Sequence, residues 1–204
     1  MNYPFDERAE TWDADPQRRR LAADILTALN RHVTLCPDWT ALDYGAGTGL
    51  IALALALRVR HVLAVDSSAG MLNVLARKVR LDCVANVDVF CADFMADPLP
   101  PGPCNLVTSA MTLHHIAAVD LLFLKFFDFL VPGGYLALAD LDAEDGSFHG
   151  YIAGIPHLGF DRASIVQQLA AAGFCEIRCD TAAGIVKNGL AYTVFLASAR
   201  KPVF

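Results

Sequence analysis

Short apolar runs alternate with helical segments along most of the chain. "TALDYG" (40–45), "HVLAVD" (61–66), "VDVFCAD" (87–93), "CNLVTSA" (104–110) and "GYLALADL" (134–141) each have strand length. Between them, the segments Leu50–Arg58, Ala69–Arg80 and Ala117–Val131 read as helices. Strand and helix taking turns in this way specify a parallel sheet with helices on both faces. Strands buried on two faces must be apolar almost throughout, and 55% of the 204 residues are hydrophobic. No linker or repeat interrupts the pattern, so a single domain over 1–204 is expected.

The flanks add to this core. An N-terminal lead-in and helix occupy 1–35. In "DADPQRRRLAADILTALNRHV" Asp15 is the expected N-cap and Pro16 the first helical residue. Leu21, Ile25 and Leu29 then recur every four residues, which gives the helix one apolar face. After the fifth strand the pattern loosens over 142–160, a connection long enough to serve as a lid. A helix over Asp161–Ala172 follows, stopped by Gly173. "FCEIRCDT" and "AYTVFLASA", joined through "AAGIVKNG", predict a closing antiparallel hairpin. Cys175, Ile177 and Cys179 share one face of its first strand and read as core.

Charge and cysteine usage narrow the function. The net charge is −6, and the one basic run, Arg18–Arg20, reads as the solvated face of a helix rather than a nucleic-acid contact. The longest uncharged stretch, Pro98–Val119, holds four prolines and two histidines, so it predicts no membrane span. The start "MNYPFDERAE" has no apolar core of a targeting peptide, and the six cysteines include no CxxC pair. Reduced thiols in a cytoplasmic protein are the expectation.

The loop "LDYGAGTG" ends the first strand and opens a helix, the place where open parallel sheets bind ligands. It lacks the lysine of a nucleoside triphosphate loop. It also misses the third glycine of a dinucleotide loop, where Leu50 stands. A carboxylate at Asp43 would repel a pyrophosphate but suits a ligand carrying an ammonium beside a carboxylate. The acid takes the first, and glycine amides at a helix N-terminus take the second. S-adenosylmethionine ends in that pair of groups. Asp66 then ends the second strand, where it can accept both ribose hydroxyls. Asp93 follows the third, where it can accept from an adenine amino group while Phe94 flanks the ring. Each acid alone also fits turn chemistry; three at successive strand ends do not.

With those residues in place, the chain resembles the class I S-adenosylmethionine-dependent methyltransferases, of the small ubiquinone/menaquinone-biosynthesis-like type. The likeness runs through "ETWD", "LDYGAGTG", "VDSSAGML", "CADF", "SAMTLHHI" and "LVPGGYLALADL". It implies a Rossmann-like α/β fold: a seven-stranded, mostly parallel sheet with helices on both faces and a C-terminal antiparallel hairpin. It implies S-adenosyl-L-methionine as cofactor, held by Asp43, Gly45, Ala46, Gly47, Gly49, Asp66, Ser67, Met71, Asp93 and Phe94. The Ser109, Ala110 and Met111 backbone and Trp12, folding over from the lead-in, complete the set. Trp12 reads equally as a hydrophobic staple on the first helix.

The segment "SAMT" lacks the N/D-P-P-[YFW] turn of enzymes that methylate nucleic-acid amino groups. Cytosine-carbon methyltransferases place a Pro-Cys nucleophile after the fourth strand, whereas Cys104 stands at its start, the sheet end away from the cofactor, and reads as structural. Ala110 and Met111 stand where a catechol-type magnesium site needs an aspartate, so no metal is expected. A small-molecule acceptor remains. His115 and His114, just past the fourth strand, are candidate general bases, with packing and capping as the alternative roles. Asp140, Phe148, His149, Tyr151 and His157 are candidate acceptor residues. A cofactor-binding subunit without chemistry and an NAD-dependent oxidoreductase are the rival readings. Finally, Val119–Leu130 is apolar nearly all round, which predicts a homodimer contact or cover by another segment of the chain.

Overall fold

The computed structural model describes residues 5–93, 95–97, 100–150 and 154–203. A 3₁₀ segment, Asp6–Ala14, leads into α1 (Pro16–His32). Asp15 caps α1 as its sequence suggests, accepting from the Gln17 amide at 2.9 Å. The elements β1 (Thr40–Tyr44), α2 (Leu50–Ala56), β2 (His61–Asp66), α3 (Ala69–Leu81), β3 (Val87–Cys91) and β4 (Cys104–Ala110) follow. The chain continues through α4 (Val119–Phe129), β5 (Leu130–Leu141), α5 (Arg162–Ala171), β6 (Cys175–Lys187) and β7 (Leu190–Arg200).

One seven-stranded sheet runs in the order β3-β2-β1-β4-β5-β7-β6. The first five strands are mutually parallel; β7 is antiparallel to both β5 and β6. Strand alternation sorts the side chains into two layers. Ala41, Val62, Ala64 and Ala137 face the layer built with Ile25, Ala52 and Leu75 of α1 to α3. Leu42, Leu63, Val65 and Leu138 face the layer built with Phe123 and Phe126 of α4 and Ile165 of α5. The order reverses between β1 and β4, so their carboxyl ends open a crevice there.

Two expectations needed correction. The hairpin link is shorter than "AAGIVKNG": β6 runs on to Lys187, with Ala183 and Ile185 buried. Asn188 and Gly189 alone make the turn, both with positive φ (52° and 79°), as a type I′ turn requires. The helix expected over Ala117–Val131 is trimmed at both ends, and β5 begins directly behind it. On α4 itself, Phe123 and Phe126 are fully buried and Phe127 meets Phe174 at 5.1 Å, while Leu121 and Leu124 stay exposed. The chain's own α5 region thus covers most of this face. Among the described residues no helix is long and apolar enough to cross a membrane.

Candidate functional site

The glycine loop crosses the top of the sheet with the Gly45 and Ala46 amides donating to the Val65 carbonyl at 2.8 and 3.0 Å. Two of its glycines are required by the protein's own packing. A Cβ at Gly45 (φ +73°) would stand 2.1 Å from Thr112 Oγ1, and one at Gly49 (φ +88°) 2.3 Å from a Leu75 methyl. Gly47 (φ +54°) differs: a Cβ there would meet nothing within 4 Å. Open space over bare backbone is what a ligand needs, and of the three loop glycines Gly47 alone leaves it.

Beneath the loop, Asp43 is buried on β1. Thr108 donates to its Oδ1 at 3.0 Å, but Oδ2 has no partner among the described residues. Burial pushes this carboxyl up to about 7, against the Thr108 hydrogen bond and the nearby Ala52 amide and with added repulsion from Asp66. An orphaned buried carboxylate oxygen costs free energy until a donor meets it. Asp66, at the end of β2, accepts from the Gly47 amide and the Ser68 amide, both at 2.8 Å. Burial raises its carboxyl too, opposed by those backbone donors. Ser67 lies between Asp66 and Ser68, the N-cap of α3. Asp93 is exposed, and its Oδ1 accepts from the Met95 amide at 2.9 Å. Phe94 lies outside the described residues.

Across the crevice, Ser109 is buried with a hydroxyl that has no partner among the described residues, and Met111 takes a positive φ of 55° just past Ala110. Met71 is buried with Val74 and Ala9 in a small cluster against which Phe5 and Trp12 pack. This cluster ties the 3₁₀ segment to α3. Asp6 accepts from the Ser68 hydroxyl at 2.5 Å and the Gly70 amide at 2.9 Å. Asp13 accepts from the Thr48 hydroxyl and from Lys78, whose ammonium also donates to the Thr48 carbonyl at 2.7 Å. The sequence marks Trp12 but not Asp6, Asp13 or Thr112. Their partners lie from 35 to 67 residues away, and no local spacing signals such contacts.

The histidines gather beside the ends of β4 and β5. His114 Nδ1 lies 2.7 Å from Asp140 Oδ1, and the His114 amide donates to Oδ2 at 3.3 Å. Nδ1 therefore carries the proton, which leaves Nε2 as the ring's basic nitrogen. Asp140 is fully buried and also accepts from the Leu141 amide at 2.7 Å. It thus touches His114 rather than lining an acceptor wall, as its position in the sequence had suggested. The His115 ring lies 4.1 Å from that of His114, and His149 lies 4.9 Å from His114. Burial, then repulsion from His114 and His149, pushes His115 down to about 4. His149 is lowered for the same leading reason, and its Nε2 is buried without a partner among the described residues.

Phe148 extends the enclosure, meeting His149 at 4.9 Å and Tyr192 of the hairpin at 5.1 Å. The Tyr192 hydroxyl and Ser147 Oγ are 2.8 Å apart. Hairpin residues were not anticipated from the sequence, since the hairpin tip is far along the chain from every motif. His157 is engaged elsewhere: its Nε2 is 3.0 Å from the Ile116 carbonyl and its ring packs on Phe160. Tyr151 lies outside the described residues. The base of the 142–160 segment is zipped shut by Ala143 donating to Phe160 and Glu144 to Leu158, at 3.0 and 2.9 Å. Among the described residues no group of three or more His, Cys, Asp or Glu converges as metal ligands would.

The chain is similar to known methyltransferases. A family model described as "Methyltransferase domain" matches residues 41–134. An uncharacterized methyltransferase of Geobacillus kaustophilus is 28% identical over 151 residues, 69% of this chain and 66% of that protein. Phosphoethanolamine N-methyltransferase 1 of Arabidopsis thaliana is 28% identical over 151 residues, 71% of this chain and 30% of its own length. Among solved structures, Haemonchus contortus phosphoethanolamine N-methyltransferase 2 is similar in fold. That structure, in complex with phosphomonomethylethanolamine and S-adenosylhomocysteine, has a TM-score of 0.76 at 20% identity over 88% of this chain and 52% of the other. The chain therefore spans less than two thirds of the length of each of these relatives.

Proposed function

We propose that the chain, similar to a methyltransferase-domain model over residues 41–134, is a class I S-adenosylmethionine-dependent methyltransferase that methylates a small-molecule acceptor without a metal ion. The observation that carries the cofactor assignment is the orphaned Oδ2 of Asp43. A buried carboxylate with one open oxygen suits an ammonium group, and the open side of Gly47 suits a polar group lying against backbone. When bound, the cofactor would supply an electrophilic methyl group, passed to an aligned nucleophile as the carbon–sulfur bond breaks and the neutral thioether leaves.

The chain's own residues then have separable tasks. Asp43, with the loop backbone of Gly45, Ala46, Gly47 and Gly49, holds the amino-acid end. Asp66 releases loop amides to accept ribose hydroxyls, and Ser67 and Met71 flank it. Asp93 serves the adenine, and Ser109, Ala110 and Met111 form the opposite wall. Trp12 and the 3₁₀ segment close the α3 side. His114 holds a proton on Nδ1 toward Asp140, so Nε2 can take one from the acceptor while the buried carboxylate stabilises the resulting imidazolium. His115, pushed down to about 4, stays neutral at physiological pH and shapes the pocket as an uncharged ring. Phe148 and His149 complete the acceptor wall, and the rings around them exclude water. Ala110 and Met111 offer no oxygen ligand where a metal-dependent transfer would need one.

Two measurements test this. S-adenosylhomocysteine should bind the folded chain in calorimetry, and labelled S-adenosylmethionine should transfer its methyl group into a metabolite extract. A folded chain that ignores the nucleoside, or one that binds it but labels nothing across broad extracts, would remove the enzymatic reading.

A further inference from the structure

Three cations gather beside the histidine cluster of a chain whose net charge is −6. Arg8 and Arg18 stack on the Trp12 indole, their guanidinium carbons 5.5 and 3.8 Å from its centroid. Trp12 meets Phe5 at 5.9 Å, and Phe5 meets His115 at 5.2 Å. From another element, Lys187 at the β6–β7 hairpin tip places its ammonium 4.1 Å over the Phe148 ring and donates to the Phe148 carbonyl. Phe148 contacts His149, and His149 contacts His114. Two series of touching rings therefore lead from the cations to the imidazoles.

The three charges repel one another. Burial, then Arg8, lowers the Arg18 guanidinium; burial, then Arg8 and Arg18, lowers the Lys187 ammonium. Two of the nearby acids are committed and one is half free. Asp13 holds Lys78 and Thr48, and Asp15 caps α1 with its other oxygen 3.5 Å from Arg18. Glu144 accepts the Gly146 and Phe148 amides on Oε2, while its buried Oε1, without a partner among the described residues, offsets part of the Lys187 charge. Like charges brought together from the 3₁₀ segment, α1 and the hairpin cost free energy that an anion would recover. Resting on the methyltransferase reading above, we infer that the acceptor is a small anion. Its carboxylate or phosphate group lies toward Arg8, Arg18 and Lys187, and its nucleophile toward His114 and His115. Trp12, Phe5 and Phe148 supply apolar surface for the body of such a molecule.

The experiment is calorimetry on the full chain saturated with S-adenosylhomocysteine, with benzoate, phenyl phosphate and neutral benzyl alcohol as probes. At least one anion should bind more tightly than benzyl alcohol, and less tightly as salt is raised. In Arg18→Gln/Lys187→Gln its affinity should fall about tenfold or more, the effect of a lost charge-assisted hydrogen bond. The preferred anion tells a carboxylate acceptor from a phosphate one. The single variants Arg8→Gln and Lys187→Gln repeat the test with less disturbance, and an unchanged melting temperature and circular dichroism spectrum report an intact fold. Benzyl alcohol binding as tightly as both anions, no anion binding, or unchanged anion affinity in the variants overturns the inference. Failure of the unaltered chain to bind S-adenosylhomocysteine overturns the methyltransferase reading instead.

Discussion

Replacing Asp43 by Asn separates the cost of this residue to folding from its use in binding. The carboxyl titrates at about 7 in the folded chain because it is buried. An unfolded aspartate titrates near ~3.9, so the folded state holds the proton about three units more tightly. The sign follows. Below about pH 4 the residue is protonated in both states and exerts no penalty. From about pH 4 to about 7 the unfolded chain sheds the proton and the folded chain does not, so stability falls as pH rises. Above pH 7 the loss is complete, on the order of 4 kcal/mol at ~1.4 kcal/mol per unit. Asn keeps an oxygen for the Thr108 hydroxyl and carries no charge. Asp43→Asn should therefore melt at a higher temperature than the native chain at pH 8 and close to it at pH 4.

Binding should move the other way. An ammonium needs the carboxylate, so native affinity for S-adenosylmethionine should drop about tenfold per pH unit below 7, because the carboxyl must first lose its proton. Above roughly pH 8 the ligand's own amino group deprotonates, which places the optimum between the two. At pH 8 the Asn variant should bind about 1.5–3 kcal/mol more weakly, the worth of a charge-assisted hydrogen bond, and lose the acid limb. Calorimetry from pH 5.5 to 8.5 beside thermal melts reads both effects. Native-like affinity in Asp43→Asn, an affinity flat between pH 8 and 6, or a variant less stable at pH 8 would each refute the reasoning.

Gly45→Ala should destabilise the chain even without ligand, because its Cβ would overlap Thr112 Oγ1, and Thr112→Gly should partly restore the melting temperature. Gly47→Ala, with open space around it, should cost only about 1 kcal/mol for its left-handed backbone yet still weaken S-adenosylhomocysteine binding. Asp140→Asn and His114→Asn should each lower turnover about 10²–10⁴-fold while leaving S-adenosylhomocysteine affinity near native; full turnover in either would exclude the His114 base. The His115 ring proton resonance should stay flat from pH 8 to 5.5, since its folded value is about 4; a midpoint near 6.5 would show the ring to be solvated.

The elements were legible because their causes are local. Burial on two faces forces β1, β2, β4 and the later half of β5 to be apolar, and Asp15 with Pro16 fixes the start of α1 whatever packs against it. The hairpin misled because Ala183 and Ile185, alternating with exposed neighbours, show their strand character only once α1 lies against them. The site divides in the same way. Asp43, Gly47 and Asp66 stand at strand ends, where backbone topology alone delivers them to the crevice. Asp140 also stands at a strand end, yet its partner His114 is 26 residues earlier, and only the register of β4 beside β5 makes them a pair. The same distinction bears on how activity could be lost. On the proposed assignment a substitution at Asp43 would act on the ligand directly, whereas a change in β5 that shifted Asp140 by one pleat would turn it to the other sheet face. His114 would then lose the carboxylate that fixes its tautomer, with every cofactor contact still in place. Turnover lost at unchanged cofactor affinity is thus the signature expected of β5 register variants, and a matching loss of nucleoside binding would show that β5 acts through the cofactor wall instead.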